Sequence, residues 1–376
     1  MIPFNKPFLI GSEIKYIEDA VRSGKISGNG KYTKMCQQFF EQEYGFKKAL
    51  LTSSCTDALE MAAILANIQE GDEVIIPSYT FVSTALAFVR QGAKIVFADS
   101  YLDNPNLDAN TLEALITPKT KAIVPVHYAG IACDMGVIMD LAAKYNLLVI
   151  EDAAQAVDSF YIGKDGKKNA LGAIGHLAAF SFHETKNIIS GEGGMLTIND
   201  DRFIDRAEII WEKGTNRSQF FRGEVDKYGW VDIGSSFLPS EVTAAFLWAQ
   251  LENIQTIQNK RKQLWEYYYK KLSAIKTDLN IQLPQVPEYA TNNAHMFFIS
   301  FNSIEQRSHY IKKLKENDIL AVFHYISLHS SPYYHKKHDG RVLVNSDKFT
   351  NTLLRLPLFY ELTENEIDGI VSCLEK

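Results

Sequence analysis

The chain has 376 residues, of which 46% are hydrophobic and 22% are charged. This composition is typical of a globular protein and excludes disordered and fibrous classes, and the length suffices for a large domain and a smaller one. The net charge of −6 argues against the broad basic face that nucleic acids and membrane surfaces require, while a local cluster of Lys and Arg can still hold a small anion.

The cysteines and the N-terminal residues indicate the cellular compartment in which the protein is expected. Cys36, Cys55, Cys133 and Cys373 form no CxxC pair and no metal-ligand spacing, and such sparse use suits a reducing environment. The N-terminal segment lacks the basic and apolar regions of a signal peptide, and no apolar run approaches the length of a membrane span. We therefore expect a soluble cytoplasmic protein.

Short apolar segments alternate with helical patterns through the first half of the chain. The predicted strands are 48–54, 72–78, 94–100, 121–127 and 147–153. Between them, residues 56–68 and 134–145 carry apolar side chains at helical spacing, and the first of these helices is apolar almost all round, as a buried helix is. The alternation predicts an α/β fold with a mostly parallel sheet covered on both faces.

The rest of the chain predicts two further strands and then a second unit. Residues 178–184 and 193–199 have the pattern of strands on either side of a polar turn, and residues 239–272 that of one or two long helices. Thr363 and Glu366 have the spacing of a capping box that opens the last helix. We expect two domains, a large one at 1–255 with an N-terminal arm and a small α+β one at 256–376.

Two residues at strand ends carry the first chemical signals. Lys186 follows an apolar strand and precedes the glycine-rich segment 190–194, and a lysine amine attacks carbonyls when its pKa is lowered. Asp152 ends another apolar strand, where ligands bind to parallel sheets and where a carboxylate can pair with the ring nitrogen of pyridoxal phosphate (PLP). The simpler alternatives are a solvated lysine and an aspartate that caps a helix.

Two more strand ends add weaker signals. The segment SSCTDAL at 53–59 is a polar turn that opens a helix, and such a turn suits a phosphate monoester or simple capping. Phe81 follows a strand at a position where an aromatic ring can stack on a cofactor, although an isolated Phe is more often core. No Walker or GxGxxG pattern occurs, so nucleoside triphosphates and dinucleotides lack their motifs.

In chain order these features are a phosphate turn, a stacking aromatic, Asp152 and Lys186. The order resembles that of the DegT/DnrJ/StrS sugar aminotransferases, which have PLP fold type I (aspartate-aminotransferase-like), with a large domain on a mostly parallel sheet and a smaller C-terminal α+β domain. The likeness covers essentially the whole chain and includes the strings SCTDALEMAA, PSYTFVSTALAF, GAKIVFAD, PVHYAGIAC, IEDAAQ, SFHETKN, EKGTNRSQFFRG, DIGSS and NAHMFF.

The resemblance implies a cofactor, partners and site residues. It implies PLP, L-glutamate as amino donor, a dTDP-linked keto-sugar as acceptor, and a homodimer with shared active sites. Lys186 would carry the cofactor and move protons. By the same resemblance, Asp152 would bind the ring nitrogen, Gln155 the 3-hydroxyl, and Phe81 the ring face. The phosphate would be bound by Thr56, the backbone of Asp57 and Ser181.

The likeness is closest to members that aminate C4 of a dTDP-4-keto-6-deoxyhexose, so the expected product is dTDP-4-amino-4,6-dideoxygalactose. Amination at C3 of a dTDP-3-keto-6-deoxyhexose stays open, because one sequence does not show how the sugar lies. Relatives with His in place of the lysine are dehydratases, and Lys186 argues against that chemistry. A non-catalytic binding protein of the same fold is the alternative of another class.

One segment departs from the family pattern. Ser236 stands where most members have an Asn with which the partner subunit reaches the phosphate, and Leu238 stands where they have Arg. By the resemblance, Ser236 is a candidate for binding the cofactor phosphate. The replacement of Asn and Arg puts the contact that reaches the phosphate from the partner subunit in doubt.

Candidate substrate residues lie in two further segments. Residues 212–230 are rich in Lys, Arg and aromatics, and Arg217 and Arg222 are candidates for a diphosphate, with a solvated loop as the alternative. His324 and Tyr325 are candidates for a sugar hydroxyl or the nucleotide. Four histidines cluster within 324–339, but their spacing matches no zinc motif, so we expect no metal site.

Overall fold

Strands at the predicted positions build a central sheet in the structure, a computed structural model that describes residues 1–375. The strands are β1 Lys48–Thr52, β2 Glu73–Pro77, β3 Lys94–Ala98, β4 Thr120–Ile123, β5 Leu148–Asp152, β6 Phe160–Ile162, β7 Lys168–Ala170, β8 Leu177–Ser181, β9 Gly194–Ile198, β10 Phe297–Ser300 and β11 Leu353–Leu356. Seven of them form one sheet in the order β1-β9-β8-β5-β4-β2-β3.

Helices cover this sheet and also build the C-terminal part. They are α1 Glu13–Arg22, α2 Lys31–Tyr44, α3 Cys55–Leu65, α4 Val82–Val89, α5 Met135–Tyr145, α6 Ile204–Trp211, α7 Arg217–Phe221, α8 Glu241–Leu251, α9 Ile254–Leu279, α10 Ile304–Glu316, α11 Val344–Thr352 and α12 Glu364–Glu375. None of the helices in residues 1–375 has the length and apolar character needed to cross a bilayer.

The sheet is parallel except at one strand. β3, β2, β4, β5 and β8 run in the same direction, and β9 is antiparallel to both of its neighbours, β8 and β1. The five residues of β2, β8 and β9 are all buried, because helices cover both faces and leave no side of these strands to water. The prediction of an α/β fold with a mostly parallel sheet is confirmed.

The predicted helices 56–68 and 134–145 correspond to α3 and α5. α3 buries six of its eleven residues, as its nearly uniform apolar composition predicts. It lies against β8 and β9, so that its N-terminal turn is held at the edge of the sheet where the parallel strands end.

The C-terminal part has its own core. β10 and β11 pair antiparallel, and α9, α10 and α12 supply most of the apolar side chains packed around them. The predicted boundary between residues 255 and 256 falls inside α9, which continues through it. Thr363 and Glu366 form the predicted capping box, since each backbone N–H donates to the other residue's side chain, at 2.8 and 3.2 Å.

Candidate active site

A cavity of about 590 Å³ lies where the parallel strands end. Residues that follow β1, β2, β4, β5 and β8 line it, which is the edge where ligands bind to sheets of this kind. Among the predicted cofactor residues, the cavity brings together Lys186, Asp152, Gln155, Ser181, Thr56 and Phe81.

Lys186 lies in the loop that joins β8 to the antiparallel β9. The loop is held at its base by hydrogen bonds between Phe182 N–H and the Gly193 carbonyl (2.8 Å) and between Ser190 N–H and the Phe182 carbonyl (2.7 Å). Burial lowers the pKa of Lys186, and the charge of Arg355 acts in the same direction, against Cys55 and Asp152. The side chain therefore has a larger neutral fraction than a solvated lysine, as a nucleophilic amine needs.

Asp152 ends β5 as a buried carboxylate that faces the same cavity. Its two oxygens accept hydrogen bonds from Thr84 Oγ1 (2.7 Å) and from the backbone N–H of Ala154 (3.1 Å). Burial raises the pKa of Asp152, and these two hydrogen bonds oppose that shift. The alternative that Asp152 caps a helix is wrong, because residues 153–159 form turns and not a helix.

The turn before α3 offers hydrogen-bond donors to the cavity. Ser54 caps the helix by accepting from the N–H of Asp57 at 3.1 Å, and Thr56 Oγ1 lies 2.8 Å from Ser83 Oγ. The contact of a phosphate with the Asp57 backbone stays a prediction, and in this arrangement the Asp57 N–H donates to Ser54. The backbone N–H groups of Cys55 and Thr56 have no acceptor within residues 1–375.

Gly194 allows the close approach of β9 to this turn. A β-carbon at Gly194 would overlap the backbone of Ser54 and Cys55, so no larger residue fits without moving the turn. The glycine that ends the GEGG segment therefore places the helix N-terminus and the lysine loop side by side.

We expect Gly194→Ala to weaken PLP binding roughly 10- to 100-fold, because a forced backbone shift of this kind costs about 1–3 kcal/mol. Gly369→Ala in α12 is the matched control, since its β-carbon would meet open space and alanine suits a helix interior. Absorbance titration of both variants with PLP measures the effect. Equal affinities in the two variants would show that the turn does not depend on this contact.

Gln155 connects the cavity wall to the predicted substrate residues. Its side-chain oxygen accepts from the N–H of Ala129 (2.6 Å) and its side-chain nitrogen donates to the hydroxyl of Tyr325 (3.0 Å). Tyr325 stacks on His324 with ring centres 3.5 Å apart, and both rings line the cavity. Phe81 is 56% exposed at the rim, where its ring face is open to a ligand.

The structure does not bring the other predicted residues to this cavity. Ser236, Arg217 and Arg222 line a second, larger cavity of about 1050 Å³. Arg222 is paired there with Glu208 and Glu224, both at 2.6 Å. Within one chain, none of these three residues lines the cavity that Lys186 lines.

Three residues of the site gave no recognised signal in the sequence. Thr84 holds Asp152, and His295 and Arg355 line the cavity with Lys186. Burial lowers the pKa of His295 well below its usual value, and the charge of Lys186 adds to this effect. An arginine inside the apolar run LLRLPLF was the available signal for Arg355, because charged residues are seldom placed in buried strands.

The clustered histidines bind their own neighbours. His329 Nδ1 lies 2.8 Å from Ser78 Oγ, and His338 Nε2 lies 2.8 Å from the carbonyl of Arg341. In the part of the chain that the structure describes, no three His, Cys, Asp or Glu side chains are arranged to hold a metal ion.

The residues of the cavity fit PLP. An amine of lowered pKa at Lys186, a buried carboxylate at Asp152 and the free N–H groups of Cys55 and Thr56 are different groups of one cavity. They match the aldehyde, the ring nitrogen and the phosphate of that cofactor in chemical type.

Comparisons with known proteins agree with this fit. Residues 8–375 match the DegT/DnrJ/EryC1/StrS aminotransferase family. The chain is 33% identical to GDP-perosamine synthase from Caulobacter vibrioides over 377 residues, covering 98% of this chain and 96% of that one. It is 31% identical to the spore coat polysaccharide biosynthesis protein SpsC from Bacillus subtilis over 386 residues, covering 99% and 96%. The PLP form of Spr1654 from Streptococcus pneumoniae superimposes with a TM-score of 0.88 at 25% identity, covering 100% and 97%.

Proposed function

The chain belongs to the DegT/DnrJ/EryC1/StrS family of PLP-dependent sugar aminotransferases, and from this we propose that it transfers the amino group of L-glutamate to C4 of a dTDP-linked 4-keto-6-deoxyhexose. The proposed product is dTDP-4-amino-4,6-dideoxygalactose. The observation that carries the proposal is the placement of Lys186, Asp152 and the turn before α3 on one cavity.

Lys186 is proposed as the residue that moves protons. Bound PLP supplies an electron sink for the charge that develops when a proton leaves the reacting carbon. Partial removal from solvent lowers the pKa of Lys186, so its Nζ can accept a proton from the α-carbon of the donor and return one to the sugar carbon. Both proton transfers, from the donor and to the sugar, take place at the same position in the cavity, so a single amine on a short loop can perform them.

The remaining cofactor contacts are proposed from the same cavity. We assign the phosphate to the N–H groups of Cys55 and Thr56 together with the hydroxyls of Thr56 and Ser181, since a helix N-terminus favours an anion. Asp152 is proposed to keep a proton on the ring nitrogen, because a carboxylate close to a cation stabilises its charged form.

We propose a homodimer in which the second cavity of one subunit faces the first cavity of its partner. Exposed apolar residues beside the second cavity support this assembly, with Trp230 at 85% exposure and Val231 and Ile233 above half. Tryptophan is enriched in protein interfaces and seldom so open on a monomer. In that arrangement Ser236, Arg217 and Arg222 would act on the ligand of the partner subunit.

The experiment that tests the function follows two half-reactions in the absorbance spectrum of the PLP-loaded protein. We expect L-glutamate to bleach the visible band of the lysine-bound cofactor, and dTDP-4-keto-6-deoxyglucose to restore it. NMR of the isolated product then locates the new amino group at C4 or C3 and gives the configuration of the sugar. A GDP-linked keto-sugar is tested in parallel, because one relative is a GDP-perosamine synthase.

Each result leads to a different conclusion. If glutamate bleaches the visible band and no keto-sugar restores it, the protein performs PLP chemistry but the proposed acceptor is wrong. An amino group at C3 would establish the alternative regiochemistry. Absence of any visible band after PLP is added would favour a non-catalytic binding protein. The name of the relative SpsC supports a further proposal, that the product enters a surface polysaccharide.

A further inference from the structure

His295 is a buried imidazole that lines the cavity together with Lys186, and no assignment above uses it. It lies two residues before β10, where the C-terminal part meets the large domain. Arg261 of α9 fixes the backbone at this point by donating to the carbonyls of Ala294 (3.1 Å) and His295 (2.7 Å). The long helix of the C-terminal part therefore holds the ring in place.

Asn187 fixes one end of this ring. Its side-chain nitrogen Nδ2 lies 2.8 Å from the carbonyl of Asn293 and 2.8 Å from Oε1 of Gln258. A backbone carbonyl can only accept, so the atom of Asn187 that faces it is the nitrogen. Oδ1 of Asn187 is then the atom that lies 2.9 Å from Nδ1 of His295. An amide oxygen also only accepts, so Nδ1 of His295 carries the hydrogen and donates it.

The other ring nitrogen of His295 is an acceptor open to the cavity. A neutral imidazole carries one hydrogen, so Nε2 has a free lone pair when Nδ1 is the donor. Burial keeps the ring neutral, because it lowers the pKa of His295 well below its usual value. Nε2 has no hydrogen-bond partner within residues 1–375 and, unlike the buried Nε of Arg355, it is not sealed from solvent.

Nζ of Lys186 is the complementary donor. It also lacks a hydrogen-bond partner in the part of the chain that the structure describes, and it faces the same cavity. Lys186 precedes Asn187, the residue that holds the ring. After burial, the charge of Lys186 has the largest effect on the pKa of His295, ahead of those of Arg261 and Arg355. An unpartnered donor and an unpartnered neutral acceptor thus share one cavity.

The other titratable groups around Lys186 have partners or roles of their own. The groups whose charges act on it are Cys55, Asp152 and Arg355. Burial raises the pKa of the Cys55 thiol well above its usual value, so this thiol is not an anion. Asp152 already accepts from Thr84 and Ala154, and Arg355 repels an ammonium. The remaining groups are bound to neighbours, namely His183 to Thr185 and Glu192, His324 to Tyr128, and Tyr325 to Gln155.

We propose that Nε2 of His295 accepts a hydrogen bond from the ammonium of Lys186, an inference that rests on the proposed function. Nζ takes a proton from the α-carbon of the donor and holds it until the proton is returned to carbon. A neutral acceptor stabilises and directs the charged amine during this interval, while His295 keeps its own hydrogen on Nδ1. The two atoms form no hydrogen bond with each other here, and the flexible stem of lysine gives Nζ the reach to form it. His295 is thus a positioning residue that acts through Lys186.

Two substitutions separate the two nitrogens of the ring. In His295→Asn the amide nitrogen takes the place of Nδ1 and can donate to Asn187, while nothing replaces Nε2. In His295→Gln the longer side chain brings its oxygen near the position of Nε2, and the bond to Asn187 is lost. The proposal predicts a defect in the asparagine variant, whereas a structural role through Asn187 predicts it in the glutamine variant.

The first measurement is the rate at which the cofactor-free protein forms a visible band with pyridoxal, followed across pH. This rate reports the neutral fraction of the Lys186 amine once the rate of Lys186→Ala is subtracted to remove other lysines. Loss of an acceptor destabilises the ammonium, so His295→Asn should shift the midpoint down by roughly one to two pH units, as a hydrogen bond to a charged group is worth. His295→Gln should keep a midpoint close to that of the parent.

His329→Asn is the matched control. His329 is as buried as His295 and also uses Nδ1, which lies 2.8 Å from Ser78 Oγ, but it does not line the cavity. We expect this variant to keep the parental midpoint.

The second measurement is exchange of the α-hydrogen of L-glutamate with D₂O, followed by NMR with the PLP-loaded protein. His295→Asn should exchange roughly 10- to 100-fold more slowly, since a misplaced catalytic amine costs this much. The glutamate concentration for half-bleaching should stay parental, because His295 acts on the amine and not on binding of the donor.

Several results would contradict the proposal. A parental midpoint or a parental exchange rate in His295→Asn would overturn it, and so would an equal shift in both variants. If His295→Asn does not fold, ¹⁵N NMR of the parent decides, with the signals assigned by their loss in His295→Gln; a hydrogen on Nε2 would overturn the proposal. A shifted midpoint in a protein whose parent exchanges no α-hydrogen would contradict the proposed function while the hydrogen bond to Lys186 stands.

Discussion

Replacing Lys186 with alanine is expected to lower turnover by roughly 10²–10⁴-fold or more, because a positioned acid or base contributes that much and no other lysine among residues 1–375 lines the cavity. The variant should still bind PLP through Asp152 and the turn before α3. Its spectrum should be that of the free aldehyde and not of a lysine-bound cofactor. Steady-state rates and absorbance spectra measure both effects.

The control for this experiment is Lys167→Ala. Lys167 is an exposed lysine in the turn between β6 and β7, away from the cavity. We expect its rate and spectrum to equal those of the parent. Full turnover by Lys186→Ala would remove Lys186 from the mechanism and would leave the loop between β8 and β9 without a catalytic role.

Replacing Asp152 with asparagine is expected to weaken PLP binding by about 10²–10⁴-fold, which corresponds to the roughly 3–5 kcal/mol lost when one partner of a buried ion pair is removed. Asparagine keeps the shape of the side chain and can still accept from Thr84. It cannot, however, balance the charge of a protonated ring nitrogen. Titration with PLP, monitored by absorbance, gives the dissociation constant.

Stability of the cofactor-free protein provides a second measurement for Asp152. The pKa of Asp152 is raised in the folded state because its carboxylate is buried. The charged form is then less favourable in the folded than in the unfolded chain, so the folded state loses stability as the pH rises through that pKa. Asp152→Asn should therefore unfold at an equal or higher urea concentration at pH 8.

The two measurements together discriminate between roles. Weaker cofactor binding with unchanged or higher stability would show that Asp152 serves to bind the cofactor. Lower stability with unchanged cofactor affinity would assign it to the fold alone. Thr84→Val is the graded comparison, since it leaves the carboxylate of Asp152 in place and removes the hydrogen bonds of Thr84 to Asp152 and Thr80, so it should weaken PLP binding less.

Much of the large domain followed from short apolar segments. Each of the seven predicted strands overlaps an observed strand of the central sheet, with β4 and β8 beginning one residue before the predicted start, and the ends of the helices α3 and α5 lie within three residues of their predicted limits. These strands could be predicted because a strand that is buried on both faces must be apolar throughout, which is a property of a few consecutive residues. The same reasoning predicted that Lys186 and Asp152 would meet, since side chains at the ends of parallel strands share one edge.

The site residues that the sequence did not indicate depend on contacts between distant segments. Arg355 and His295 reach the cavity from the C-terminal part, and their role follows from which side chains surround them and not from any local pattern. The bond between the Asp57 N–H and the Ser54 side chain is local, since it joins two residues of one helix cap.

The class of the sheet, the order of its chemical residues and, through the resemblance they carry, the cofactor were all predictable from the amino-acid sequence. Periodicity and strand-end polarity are short-range properties, so they can be seen without coordinates. The packing of the chain was needed to show that Ser236, Arg217 and Arg222 lie in a second cavity and that Arg355 lines the first cavity with Lys186. Burial, pairing and shared cavities are relations between segments far apart in the chain, and the packing of the whole fold establishes them.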